Sequence, residues 1–218
     1  MKKQLEARYL DCHLSDASAI PALFGAESIE YNAVDVLNWP EAFPYLPDVR
    51  FAIAYCPDGI LVHYKVSEQS VRAEVNEDFG HVWEDSCVEF FSAPEDDGLY
   101  YNIECTCVGK LWIAVGKGRD GREFAPEEVM SAVSRWTSLG CEAFGLKDSP
   151  TEWEAALIIP LSTYFKHSVD SLKGKSFGAN FYKCGDNLPV AHFATWNPIV
   201  TPKPDYHRPE FFGTVKFK

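Results

Sequence analysis

The strongest constraint in this chain is a strict alternation of side-chain type. From Val49 to Tyr55 the large apolar residues fall at every second position (Val49, Phe51, Ile53, Tyr55). After Cys56-Pro57-Asp58-Gly59 the pattern resumes, with Ile60, Val62, Tyr64 and Val66 set against Leu61, His63 and Lys65. A period of two separates the side chains of an extended strand onto two faces, so this segment reads as an antiparallel hairpin with one face on a core. Pro57 presets its own φ and Gly59 accepts a positive one, which supplies the turn. The same period returns in Leu99-Tyr101-Ile103-Cys105-Cys107, in Trp153-Ala155-Leu157-Ile159, in Phe177-Ala179-Phe181 and from Phe212 to Phe217. Roughly ten short strands separated by turn signals, with no βαβ rhythm, predict an all-β fold: an antiparallel β-sandwich with little helix.

The remaining segments are less regular. Asp16 to Phe24 can form one or two helical turns from an Asp or Ser cap. Leu161 to Phe165 suits a single turn, and Pro126 to Trp136 fits either a short helix or a strand. Residues 1–37 carry no clean period and are expected to pack irregularly on the rest. The Pro-punctuated aromatic run that follows, through Trp39, Phe43 and Tyr45, is expected to drape over a sheet end. No internal repeat or linker divides the chain, so residues 1–218 are expected to form one domain.

Charge narrows the partners. Lys plus Arg number 20 and Asp plus Glu 32, giving a formal net charge of −12. Nucleic acid and anionic membranes both require a positive footprint, so neither is an expected partner. The seven cysteines are odd in number and show no paired spacing, which argues against a disulfide framework and for buried thiols. Zinc would have to draw on Cys105, Cys107, Cys184 and His192 or His207. Cys105-Thr106-Cys107 lies within a strand rather than on a turn, so zinc is rejected. Glu6, Arg8 and Asp11 interrupt the apolar stretch an export signal would need, and the expected location is cytoplasmic unless a signal has been removed.

Two stretches mix exposed-type aromatics with directional polar groups. His81 to Thr106 carries Trp83 and Glu89, and its alternation sets Asn102 and Glu104 opposite the core face. Asn180 to Gly213 carries Tyr182, Lys183, Asp186, Trp196 and Asn197 besides Asn180. Flat rings cover the C–H faces of a pyranose, while amides and carboxylates read its hydroxyls, so the combination suits a sugar. The basic loop from Gly116 to Arg122 lacks the Lys-Ser/Thr of a phosphate cradle and reads as a mobile hairpin tip. Glu84, Asp85, Glu89 and Glu104 also supply enough carboxyls for a glycoside-processing enzyme, which stays open as an alternative. No Gly-x-Ser-x-Gly elbow is present.

The run Val82-Trp83-Glu84-Asp85-Ser86-Cys87-Val88-Glu89-Phe90-Phe91 resembles the corresponding strand of family 9 carbohydrate-binding modules. Tyr100-Tyr101-Asn102-Ile103-Glu104, Asn180 to Asp186, Trp196 and Pro204 to Gly213 are similar to later parts of the same family, in the same order. The resemblance implies a β-sandwich that binds sugars without cutting them, attached to or partnered with a glycoside hydrolase and carrying structural calcium. By matching segment, Trp83 and Trp196 would clamp a terminal sugar of a xylan- or cellulose-type chain, with Glu89, Asn102 and Glu104 reading hydroxyls; Asn180 joins these ligand-binding candidates by its residue type alone. The acidic turn Glu95-Asp96-Asp97 offers oxygens for calcium without a defined loop pattern. Some sandwiches of this architecture bind haem instead, but here His81, His192 and His207 lie in turns and only two Met are present.

Overall fold

The computed structural model describes residues 2–218. The strands are β1 (Gln4–Tyr9), β2 (Asn32–Ala33), β3 (Val36–Leu37), β4 (Asp48–Cys56), β5 (Gly59–Glu68), β6 (Val71–Ala73), β7 (Cys87–Ala93) and β8 (Tyr100–Thr106). They continue with β9 (Leu111–Gly116), β10 (Glu123–Phe124), β11 (Ser134–Thr137), β12 (Phe144–Lys147), β13 (Thr151–Ile159), β14 (Ser176–Cys184), β15 (Phe193–Thr195) and β16 (Gly213–Phe217). Among the described residues, helix is confined to α1 (Ile20–Ala26), α2 (Glu127–Ala132) and single 3-10 turns. Segment 126–136, ambiguous in sequence, contains both α2 and β11.

The main sheet runs β10-β9-β8-β7-β14-β16-β1-β4-β5-β13-β11. Its pairings are antiparallel except at β1, and this corrects the purely antiparallel expectation. Gln4–Ala7 pair in parallel with Thr214–Phe217 of β16, whereas Arg8 and Tyr9 pair in parallel with Ala54 and Tyr55 of β4. A single strand therefore passes from one half of the sheet to the other, in a segment the sequence presented as irregular. The expected hairpin is present in full register, from Asp48↔Ser67 to Cys56↔Gly59. Gly59 has φ +145°, and a Cβ there would run into the Ile159 carbonyl of the neighbouring strand, so glycine is required by both conformation and space.

The sheet curls until its halves meet through a continuous apolar interior. Phe51, Ile53, Val62 and Tyr64 come from the β4–β5 side, and Phe90, Ile103 and Phe181 from the β7–β8–β14 side. Phe51 and Phe181 stack across this interior at 3.7 Å between centroids, and Phe90 stacks on Phe181 at 4.9 Å. The Tyr64 hydroxyl crosses as well, donating to the Glu89 carbonyl at 2.8 Å. The outer face of β4, β5 and β13 is covered by α1 and the turn before it, through Ile20 and Phe24 against Leu61, Ala156 and Ile158. The Asp16 carboxylate caps that turn by accepting from the Ser18 amide. The outer face of β7, β8 and β14 carries a third cluster, including Phe91, Tyr100, Tyr182, Tyr206 and Phe212, and there the sheet is left partly open.

Phe181 sits at the meeting point of these layers, so Phe181→Ala is expected to lower stability by about 3–5 kcal/mol in urea denaturation. Val200→Ala, at a side chain 78% exposed, is expected to change it by less than about 0.5 kcal/mol. Comparable small losses from both would contradict this account of the core.

Candidate functional site

The open part of the outer face is a cleft of about 530 Å³, within the range of roughly 300–1,000 Å³ usual for small-ligand sites. Strand register sets out its floor. Trp112 of β9 pairs with Glu104 of β8, Glu104 with Glu89 of β7, and Glu89 with Tyr182 of β14. Directly paired residues share a face, so these four side chains form one row across the sheet. Strand spacing makes that row about 14 Å long. The next row places Asn102 beside Phe91 and Phe91 beside Asn180.

Aromatic groups stand at both ends. At one end the indoles of Trp83 and Trp112 meet at 5.1 Å and 83°, forming a corner. His81 stacks on Trp83, and Phe124 backs Trp112 edge-on. Trp83 is carried by the 3-10 turn Val82–Glu84, which is fixed from two directions. The buried Asp85 carboxylate accepts from Arg72 Nη1 at 2.8 Å and from the Val75 amide at 2.7 Å. The Trp83 carbonyl accepts from the Asp186 amide at 3.0 Å. At the other end Phe43 packs edge-on against Phe193 at 4.7 Å, and Tyr206 lies flat on Tyr182 at 4.1 Å.

The polar groups between them are oriented by Arg122. Its Nε donates to Asn102 Oδ1 at 3.0 Å, other guanidinium nitrogens donate to the Gly118 and Tyr100 carbonyls, and the group lies 4.3 Å from the Tyr100 ring centroid. Asn102 Nδ2 in turn donates to Glu104 Oε1 at 2.7 Å. Glu104 Oε2 is buried on the cleft floor with no partner among the described residues. A buried acceptor without a donor costs about 1–3 kcal/mol, and a ligand hydroxyl would relieve that cost. Burial pushes the Glu104 carboxyl up to about 7. Burial, then the charge of Glu104, pushes Glu89 well above the carboxylate range. Desolvation raises Asp186, another lining residue, to about 6. His207 lies against the Tyr100 hydroxyl at 2.9 Å, and burial followed by Arg122 and Arg119 holds its pKa down to about 3, so it is neutral. Near neutral pH the floor therefore offers protonated and ionised carboxyls together, able both to donate and to accept.

Of the residues expected from sequence, Trp83, Glu89, Asn102 and Glu104 line this cleft. Trp196 does not. It is 3% exposed, packs edge-on against Phe51 and Phe181 in the interior, and occupies the space that a Cβ at Gly213 would need. The expected Trp83–Trp196 clamp is thus absent, and Trp112 is the indole that meets Trp83. Asn180 lies on the cleft face by register, but the segment after β15 covers it. Its Oδ1 accepts from the Asn197 and Phe181 amides and its Nδ2 donates to the Asn197 carbonyl, so its polar atoms are occupied by the fold. The 116–122 loop, read as a hairpin tip, supplies two lining residues, Arg119 and Arg122. Arg119 also reaches Asp205 at 3.1 Å, joining that loop to the 203–207 rim. Trp112 was legible in principle, because it alternates with Leu111 and Ile113, which face the core.

The family model described as carbohydrate-binding family 9 matches residues 18–217. A crystal structure from Bacteroides uniformis ATCC 8492, described provisionally as a carbohydrate-binding protein, superposes with a TM-score of 0.97 at 46% identity over 100% of both chains. A family 9 carbohydrate-binding module from Caldicellulosiruptor kristjanssonii in complex with glucose gives a TM-score of 0.58 at 12% identity, covering 99% of this chain and 96% of that one. The module from that organism in complex with cellotriose gives 0.59 at 12%, covering 99% and 94%. At 12% identity these last two show a shared fold alone. No curated protein matches the sequence.

The raised Glu104 carboxyl makes stability depend on pH. The folded state holds this proton more tightly than the unfolded chain, so the contribution is favourable at low pH and is lost as pH rises from about 4.5 to about 7. Glu104→Gln keeps the shape and removes the titration. Between pH 5 and pH 8, wild-type stability from urea titrations is expected to fall by about 1–3 kcal/mol more than that of the variant. Parallel pH profiles would refute a buried, raised Glu104.

Proposed function

The chain belongs to carbohydrate-binding family 9, and on that premise we propose that the cleft between the Trp83–Trp112 corner and the Phe43–Phe193 pair binds a neutral oligosaccharide or terminal sugar of the cellulose or xylan type without cleaving it. The observation that carries this reading is the unpartnered Glu104 Oε2, held by the Arg122–Asn102 chain on a floor flanked by half-buried indoles. An aromatic face takes the C–H side of a pyranose, and the mixed protonation of the floor suits hydroxyls, which donate and accept at once. The glucose and cellotriose seen in modules of the same fold support a glucose-type ligand. The curled sheet is read as the two layers of a sandwich, a reading supported by the Phe51–Phe181 stack between its halves.

The same floor speaks against glycoside cleavage. That reaction places two carboxyls on either side of the scissile bond, whereas Glu89 and Glu104 are direct neighbours on one face of one sheet. Calcium has no role in this reading. In the 95–97 turn, Asp97 Oδ1 accepts from the Leu99 amide at 2.9 Å and Oδ2 lies 3.3 Å from His167 Nε2, so each of its oxygens has one partner within the fold. A companion glycoside hydrolase belongs to the proposal on family membership alone.

Titration calorimetry against glucose, cello-oligosaccharides and xylo-oligosaccharides tests the proposal, and saturable heat with at least one of them is expected. Trp83→Ala and Trp112→Ala should each weaken binding about tenfold or more, which corresponds to about 1.4 kcal/mol. Trp196→Ala should chiefly lower thermal stability. Absence of heat with every sugar at millimolar concentration would sink the proposal, as would turnover of an aryl glycoside lost on Glu89→Gln.

A further inference from the structure

The cleft floor continues into a pair of thiols. Cys184 of β14 stands directly opposite Cys87 of β7, and Glu89 follows two residues later on the same face. One ligand atom from each, two sulfurs and a carboxylate oxygen, lie within 4.8 Å of one another. Cys184 Sγ is 3.0 Å from Glu89 Oε1. All three residues are buried, yet Glu89 and Cys184 line the cleft, so the cluster can be reached from it. We propose that Cys87, Glu89 and Cys184 form a site for one soft divalent cation of the zinc class, with a fourth coordination position facing the cleft. It is a different ligand set from the one the sequence suggested and rejected, with only Cys184 in common, and it stands whether or not the cleft takes a sugar.

The chemistry of the donors selects the ion. Calcium and magnesium take six or more oxygens, which three residues with two sulfurs do not provide. Two thiolates and a carboxylate favour zinc or its analogues. Zinc–sulfur bonds of about 2.3 Å and zinc–oxygen bonds of about 2.0–2.2 Å place tetrahedral ligand atoms about 3.5 Å apart. The Cys184–Glu89 contact would thus open by about half an ångström, a small rotation for side chains on paired strands. Binding exchanges protons for metal: two S–H bonds and one carboxylic O–H break, two metal–sulfur bonds and one metal–oxygen bond form, and three protons leave to solvent. Three anionic ligands around a dication leave one negative charge, which faces the acids Glu104 and Asp186 as well as the cations Lys183 and Arg119. The protons are held firmly in the metal-free state, with burial pushing Cys87 up to about 11 and Cys184 and Glu89 well above their usual ranges. Metal affinity should therefore rise steeply with pH.

The test is titration of the reduced full-length chain with Co²⁺ under anaerobic conditions. One equivalent is expected to produce thiolate-to-cobalt charge-transfer absorption that Zn²⁺ abolishes, and calorimetry in two buffers of different ionisation heat should show proton release on binding. X-ray absorption of the zinc-loaded wild type should count two sulfurs at about 2.3 Å. Cys87→Ser and Cys184→Ser should each weaken binding by about 100-fold, and Glu89→Gln should weaken it while leaving the sulfur count at two. Cys141→Ser, at an exposed thiol elsewhere, should change nothing. If either strand variant fails to fold, the sulfur count in the wild type decides. Fewer than two sulfurs overturns the site, as does a charge-transfer band that survives loss of both thiols. So would a Cys87–Cys184 disulfide that persists in the chain under reducing conditions.

Discussion

The register between β7 and β14 is the constraint on which the rest depends. It pairs Phe90 with Phe181, Glu89 with Tyr182 and Cys87 with Cys184, and β8 continues the rows with Ile103, Glu104 and Thr106. Because side chains alternate strictly, a slip of one residue would drive Glu89 and Glu104 into the apolar interior and expose Phe90, Ile103 and Phe181. Burying two carboxyls without partners would cost several kcal/mol, and losing three large apolar side chains from the core would cost as much again. The register is thus enforced from both faces. The cleft is as well defined as the core because both are set by the same strands.

A second layer of order comes from one arginine. Arg122 occupies Asn102, three backbone carbonyls of separate segments and the Tyr100 ring. Burial lowers its pKa from the usual arginine value, but a guanidinium is charged at any working pH. A buried charge held in this way fixes the Asn102 amide, and the amide fixes one Glu104 oxygen and leaves the other free. The direction of the free acceptor is therefore determined by the scaffold rather than by a flexible side chain. Binding a hydroxyl there need not order a loose group first.

Much of this was legible in the sequence, and the failures have physical causes. Alternation located β4, β5, β8, β13, β14 and β16, and it separated Asn102 and Glu104 from Tyr101 and Ile103, since a half-buried strand has only two faces to choose between. Parity also placed Asn180 on the cleft side correctly. What it could not show was the segment after β15 folding over that amide, a contact between residues 17 apart in sequence. Trp196 was misplaced because a tryptophan beside polar residues looks the same in sequence whether it faces solvent or a glycine. Here the deciding partner is Gly213, whose missing side chain admits the indole to the core. Arg119 and Arg122 were missed because a basic glycine-rich turn looks like a solvated tip. Only the tertiary fold brings Arg119 to the rim carrying Asp205, and Arg122 to Asn102. The parallel role of β1 had no local signal, since period two specifies a strand's faces and not its neighbours.

The acidity of the chain acquires a local meaning in the cleft. A net charge of −12 would make an ionised carboxyl floor repel anionic ligands and attract cations. Yet the floor acids hold their protons to unusually high pH because they are desolvated and lie side by side. The cleft thus stays close to neutral while keeping hydrogen-bonding groups of both kinds. Such a floor can discriminate among neutral polyols by hydroxyl direction, and it also makes proton release the expected companion of any cation that enters. The two chemistries share Glu89, which borders the unpartnered Glu104 on one side and the Cys184 thiol on the other. Occupancy of the thiol pair by a metal would fix Glu89 as an anion and, by repulsion, hold Glu104 more firmly protonated.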